Sequence, residues 1–165
     1  SLDSKTSDPV RDFGGYAVAE RQQRRTEERI GSQGGKLGCK TSLRGSGRAF
    51  CAGRDVAAAP TDKDLELVQA VACAIVDNPK PVLAAVHGWT VGAGLEWALD
   101  ADIVIASDDA RFKLPEASLG VFVTGGLVTT LPAAIGLIRA KSLLLLGEEI
   151  NARQAHEWGL VSKVV

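Results

Sequence analysis

Cysteine is scarce in these 165 residues: Cys39, Cys51 and Cys73 are an odd number with no C-x-x-C spacing. That excludes a disulfide framework and a zinc-ribbon arrangement, and it leads one to expect a reducing compartment. Histidine is scarcer still. His87 and His156 lie far apart with no second ligand at metal spacing, so no metal is expected; His87 should serve a turn and His156 a solvated helix face. No apolar run approaches the ~18 residues of a membrane span, and no basic stretch leads into an apolar one as in a secretory leader. Arginines near the N-terminus are interspersed with Asp3, Asp8, Asp12, Glu20, Glu27 and Glu28, against a transit peptide. A soluble, cytoplasmic chain without a membrane partner is the expectation. An excess of basic charge is also missing: 19 Lys and Arg face 20 Asp and Glu. No nucleic-acid partner is therefore expected.

What is present is unevenly distributed. About 23% of residues 1–47 are hydrophobic, against about 54% of residues 48–165. The first stretch is glycine-punctuated and carries a net +3, the second a net −4. Only the second reads as a core. In the first, a single helix over Ala17–Arg29 is credible, with too thin an apolar stripe to dock firmly. Residues 1–44 are accordingly expected to form a glycine- and charge-rich arm, loosely held or disordered, and residues 45–165 a folded unit.

Beyond Gly47, Thr61 or Asp62 can cap a helix over Leu65–Asp77, with Leu65, Val68, Val71 or Ala72, and Ile75 on one face. Pro79 and Pro81 end it. Val82–Val86 is a short apolar run between prolines and Gly88, the pattern of a buried parallel strand. A turn over His87–Gly94 leads into a helix over Leu95–Asp100, and Ile103–Ala106 is a second buried strand. Phe112 and Leu114 mark a short extended piece. Helices are expected from Gly125–Gly126 to Ile135, over Ile138–Leu146 and over Ala152–Trp158, then an extended Val161–Val165. Strands alternating with helices predict an α/β fold with a mostly parallel sheet.

Two turns and two carboxylates attract attention. Val91-Gly92-Ala93-Gly94 joins a buried strand to a helix start, which points backbone N–H groups at whatever lies above. Cys51-Ala52-Gly53-Arg54 is a second turn able to offer an N–H, and together the two could form an oxyanion hole; both also read as ordinary turns. As a phosphate loop the first fails, because no Gly-Lys-Ser/Thr follows it. Glu96 stands in the first helical turn among apolar neighbours, and Glu116 follows Pro115. Two carboxyls in apolar surroundings suit an acid and a base; equally, Glu96 suits the positive end of a helix and Glu116 a solvated loop. No serine occupies the helix start, which disfavours covalent acyl chemistry.

Four linked motifs in order, GSGRAFCAGRD (45–55), PKPVLAAVHGWTVGAGLEWALDADIVIAS (79–107), ARFKLPEASLG (110–120) and GEEINARQAHEWGLVSKVV (147–165), strongly resemble the enoyl-CoA hydratase/isomerase (crotonase) family. The resemblance implies that family's spiral ββα core with a mostly parallel sheet, incomplete at both ends: residues 1–44 match none of its opening strands, LGCKTSLR stands where an apolar strand is expected, and the helices that follow in the family are missing. It implies an oxyanion hole at the N–H groups of Arg54 and Ala93, and paired catalytic glutamates at Glu96 and Glu116. Ala52, Gly53, Arg54, Asp55, Gly92 and Gly94 would line the CoA and acyl path. The implied activity is that of a lyase adding water to a 2-enoyl-CoA, with Glu116 protonating the α-carbon and Glu96 assisting as base. Coenzyme A is then part of the substrate and no separate cofactor is implied; the partner copies would be two or five, in a homotrimer or hexamer. GVFVTGG (120–126) is one residue shorter than the corresponding run in many family hydratases, which leaves the acyl pocket open. The alternatives are an enoyl-CoA Δ-isomerase, needing one principal base, and a non-catalytic crotonase-like module or fragment.

Overall fold

A run of five apolar residues without polar alternation has no face for solvent and belongs in a sheet covered on both sides. Val82–Val86 is such a run, and Val82, Ala84 and Val86 are almost wholly buried. The structure, a computed structural model, describes residues 41–53 and 61–165. Along them follow β1 (Thr41–Arg44), α1 (Asp62–Val76), β2 (Val82–Val86), β3 (Trp89–Val91), α2 (Ala93–Asp100), β4 (Ile103–Ala106), β5 (Arg111–Lys113), α3 (Leu127–Ile135), α4 (Leu137–Lys141), β6 (Ile150–Asn151), α5 (Ala152–Glu157) and β7 (Lys163–Val164). A 3-10 turn spans Glu116–Leu119, and a π-helical turn spans Ser142–Leu146.

Two sheets result. One has the order β1-β2-β4-β7, all parallel; the other has the order β3-β5-β6, parallel except for the β5–β6 pair. The mostly parallel α/β expectation holds. The chain visits the first sheet, then the second, then a helix, and repeats: β2–β3–α2 is one such turn, and β4–β5 followed by α3 is the next. Cys51 extends the second sheet by a single parallel bridge to Thr90, so β1, Cys51 and α1 make an earlier turn of the same kind. The core between the layers gathers Phe112, Leu114, Leu95, Leu127, Leu131 and Leu143, all nearly inaccessible.

Several local expectations need correction. A strand, β1, stands where no apolar strand was expected: only Leu43 is aliphatic in Thr41–Arg44, and the parallel ladder to β2 supplies the backbone partners that side-chain pattern does not announce. His87–Gly94 is not one turn, because Trp89–Val91 form β3 with Thr90 fully buried between Cys51 and Phe112. β6 was likewise not anticipated. α1 begins at Asp62, where Thr61 and Asp64 cap each other reciprocally; Val68, Val71, Ala72 and Ile75 are its buried face, while Leu65 is exposed. The helix expected over Ile138–Leu146 is α4 followed by the π turn, stopped by Gly147 in a left-handed conformation. The helix expected over Ala17–Arg29 lies outside the described residues. Among the described residues no helix is long and apolar enough to cross a membrane.

β2 and β4 are tied at their starts by a reciprocal pair: Asp102 N–H donates to the Val82 carbonyl at 3.0 Å, and Val82 N–H donates to Asp102 Oδ2 at 2.7 Å. Val82 is buried, so its N–H has no water to turn to. Asp102→Ala should therefore lower the unfolding free energy by about 1–3 kcal/mol, read as a lower urea midpoint at unchanged slope, while Asp102→Asn, which keeps an acceptor, should lose less.

Candidate active site

Parallel pairing sets where the site lies. Cys51, β3 and β5 run side by side in one direction, so the segments leaving them (52–53, 92–93 and 114 onward) emerge together at one end of the second sheet. Their backbones are joined: Cys51 N–H donates to Trp89 O at 3.1 Å, Val91 N–H to Cys51 O at 2.9 Å and Gly92 N–H to Lys113 O at 3.0 Å. Glu116 comes three residues after Lys113, so its carboxylate reaches the helix start at Gly92.

Two glycines make that junction possible. A Cβ on Gly94 would stand 2.5 Å from Cys51 Cβ and 2.9 Å from the Cys51 carbonyl oxygen; only hydrogen lets the helix start press against the Cys51 strand. Gly92 takes φ +56°, and a Cβ there would meet Glu116 Oε1 at 2.8 Å. Ala93 follows as the first residue of α2, with an N–H that its helix cannot satisfy; the carbonyl of Gly92 already serves Leu95 and Glu96. Ala52 is exposed, and Gly53 lies against Val91. Arg54 and Asp55 lie outside the described residues.

The two glutamates are both brought to this place, from different elements. Glu96, in the first turn of α2, is only 3% exposed. Its Oε2 accepts two hydrogen bonds from Thr124, from the backbone N–H at 3.0 Å and from Oγ1 at 2.5 Å. Burial pushes its proton affinity up from the ordinary carboxyl range, and the two Thr124 donors pull against that. Glu116, at the start of the 3-10 turn, has its Oε2 buried without a donor among the described residues. Burial raises its pKa to about 7, opposed in part by its own backbone N–H and reinforced by the charge of Glu96. The solvated-loop alternative for Glu116 therefore does not describe it.

Sequence reasoning missed Asp100. It stands one helical turn after Glu96, and that i, i+4 spacing on a helix was the available signal. Its Oδ2 is buried without a partner among the described residues, and both this atom and Glu96 Oε2 lie within 3.3 Å of where a Gly125 Cβ would be. Burial first, and then the charge of Glu96, raise its pKa to about 7. Thr124 was missed too, since nothing local announces a contact spanning 28 residues.

The histidines stand apart from this cluster. His87 Nε2 donates to Gly47 O at 2.9 Å and so serves a turn, as expected; His156, on the exposed face of α5, donates from Nδ1 to Val161 O at 2.8 Å. Among the described residues no group of three His, Cys, Asp or Glu side chains is arranged to hold a metal ion.

Comparison with known proteins bears on what this arrangement serves. Residues 42–165 match the family model described as enoyl-CoA hydratase/isomerase. The 1,2-epoxyphenylacetyl-CoA isomerase of Escherichia coli is 40% identical over 133 residues, 74% of this chain and 51% of that protein. Carnitinyl-CoA dehydratase of Proteus mirabilis is 40% identical over 123 residues, 72% of this chain and 47% of its own. Among solved structures, an enoyl-CoA hydratase from Thermoplasma volcanium superposes with a TM-score of 0.70 at 30% identity, covering 90% of this chain and 62% of that one. The chain thus spans about half the length of the curated relatives it matches.

The acid cluster makes a stability prediction. Asp100 and Glu116 hold protons in the folded state up to about pH 7, whereas their unfolded forms release them near 3.8 and 4.5. The folded state therefore binds more protons across that window, and stability must fall as pH rises through it. Urea midpoints should decline from about pH 4 to 7, and Asp100→Asn should flatten the decline and be the more stable protein at pH 8. A wild-type midpoint constant across that range would contradict the cluster's assignment.

Proposed function

We propose that this chain, which belongs to the enoyl-CoA hydratase/isomerase family, carries the catalytic core of a hydratase that adds water to a 2-enoyl-CoA thioester. The observation that carries this reading is the pair of carboxyls, Glu96 buried and Glu116 half-buried with its Oε2 enclosed, at a helix start whose Ala93 N–H has no acceptor within its own helix. The thioester oxygen would accept from that N–H, and from the N–H of Arg54, as negative charge moves onto it; each such donor is worth about 3–4 kcal/mol of barrier. The CoA portion would run along Ala52, Gly53, Arg54 and Asp55, and the acyl chain past Gly92 and Gly94.

The chemistry needs one proton taken from water and one given to carbon. Glu96, ionised, accepts the proton of a water whose oxygen bonds to the β-carbon. Glu116, protonated, delivers its proton to the α-carbon as the enolate collapses, and the proton on Glu96 is then returned to restore the pair. Glu116, whose pKa is raised to about 7 by burial and by the charge of Glu96, is suited to be the acid. Two carboxyls favour hydration over Δ-isomerisation, for which one principal base suffices. The reading extends to homotrimers or hexamers in the cytoplasm, with exposed Leu119, Phe122, Leu145 and Leu146 as apolar area available to subunit contacts.

Hydration of a short 2-enoyl-CoA, followed by loss of absorbance of the conjugated thioester, tests the proposal. Glu96→Gln and Glu116→Gln should each lower kcat about 10²–10⁴-fold. The kcat/KM of the unsubstituted chain should fall as pH rises above about 7, where Glu116 loses its proton. Retained hydration in both variants, or double-bond migration without hydration, would overturn the hydratase reading. Absence of both turnover and CoA binding would favour a non-catalytic module.

A further inference from the structure

Glu96 is bonded asymmetrically. Both donors that reach it come from one residue, Thr124, and both go to one oxygen, Oε2, at 3.0 Å from the N–H and 2.5 Å from Oγ1. No bond from a described residue reaches Oε1. A carboxylate that accepts two bonds on one oxygen cannot rotate about its terminal torsion without breaking both, so its other oxygen keeps a fixed direction.

We propose that Thr124 is a positioning residue for the base: its hydroxyl and N–H clamp Glu96 Oε2, keep the carboxylate ionised beside two further carboxyls, and leave Oε1 as the atom that meets the reacting water. This deepens the hydratase reading and rests on it for the identity of the water.

The surroundings make such a clamp necessary. The ionisable groups facing Glu96 among the described residues are Asp100, from its own helix, and Glu116, from the 3-10 turn; both are acids. α1 faces the same loop with Ala72 and with Gln69, whose Oε1 accepts from Gly125 N–H at 3.4 Å, so it contributes no cation. Burial disfavours charge on Glu96, and two neighbouring acids disfavour it further when ionised. Donors aimed at the charged form are the opposing influence available, and Thr124 supplies both. The hydroxyl must donate rather than accept here, since an ionised carboxylate has no proton to give.

The backbone donor survives any substitution, so the hydroxyl is the testable half. Thr124→Val preserves the branched shape and removes the hydroxyl; Thr124→Ser keeps it. With a 2-enoyl-CoA as substrate, Thr124→Val should lower kcat about tenfold with KM within about twofold, and should move the acidic limb of the pH–rate profile to higher pH; Thr124→Ser should restore both. A role limited to packing would have Thr124→Val match wild type and would leave the pH limb in place. The same variants should be titrated by NMR with 13Cδ-labelled glutamate, with Glu96 assigned by Glu96→Gln. The Glu96 titration should shift upward in Thr124→Val and not in Thr124→Ser. This readout does not require turnover: a chain that shows the shift but hydrates nothing would refute the hydratase reading and leave the clamp standing. Identical Glu96 titrations in wild type and Thr124→Val, or a Thr124→Ser that behaves as Thr124→Val, would overturn the clamp itself.

Discussion

Gly94 packs against Cys51 with no room for a side chain, and the rest of the arrangement follows from it. With a side chain at Gly94 the start of α2 could not press against the Cys51 strand, since the first carbon would already overlap Cys51 Cβ and its carbonyl. Moving α2 outward would move the Ala93 N–H and, one turn on, Glu96. It would also break the register in which Gly92 N–H meets Lys113 O, and with it the reach of Glu116 to the helix start. Of the side chains Glu96 is also held by bonds of its own, from Thr124, but the residues that carry the carboxyls are placed by the backbone contact. That is why their surroundings can be poor in partners: two buried carboxyl oxygens, on Asp100 and Glu116, lack donors among the described residues, an arrangement that would be costly if these groups had to hold themselves in position.

The family's backbone design has a sequence signature that side-chain chemistry alone would not reveal. An N–H donor leaves no mark of its own in a sequence; what is visible is the glycine beside it. Gly92 and Gly94 were legible for that reason, and so were the apolar runs of β2 and β4, whose burial on both faces leaves no polar alternation. Glu96 was legible as a charge inside an apolar run. β1, β3 and β6 were not, because each is two to four residues long and is made a strand by its neighbour's ladder rather than by its own residues. Leu65 misled in the opposite direction: helical periodicity extended the apolar face one turn beyond where α1 meets the core.

Asp100 and Thr124 were illegible for a different reason. Charged residues spaced four apart on a helix are common on solvated faces, and the spacing by itself carries no burial. What buries Asp100 is the Thr124–Gly126 turn, arriving from 24 residues farther along the chain, with Gly125 at φ +60° and no side chain to interpose. The same turn brings Thr124 onto Glu96. One loop thus both removes water from the acids and supplies the donors that replace it for one of them.

That coincidence decides how charge is distributed. Three carboxyls gathered at one place resist ionising together, and which of them gives up its proton first is set by local donors rather than by intrinsic acidity. Glu96 has the most: two bonds from Thr124, and a position in the first turn of α2, where the unsatisfied N–H groups make the potential positive. Asp100 lies at the other end of the same helix, where the potential has the opposite sign, and its buried oxygen has no donor. Glu116 has only its own N–H. The donors favour the charged form at Glu96, while its two neighbours, raised to about 7, give up their protons reluctantly, and that difference is the one that general acid and base work on a single substrate requires. The stability that two retained protons cost at higher pH then belongs to the same physics as the proposed catalysis: the proton that Glu116 is reluctant to lose is the proton it would deliver.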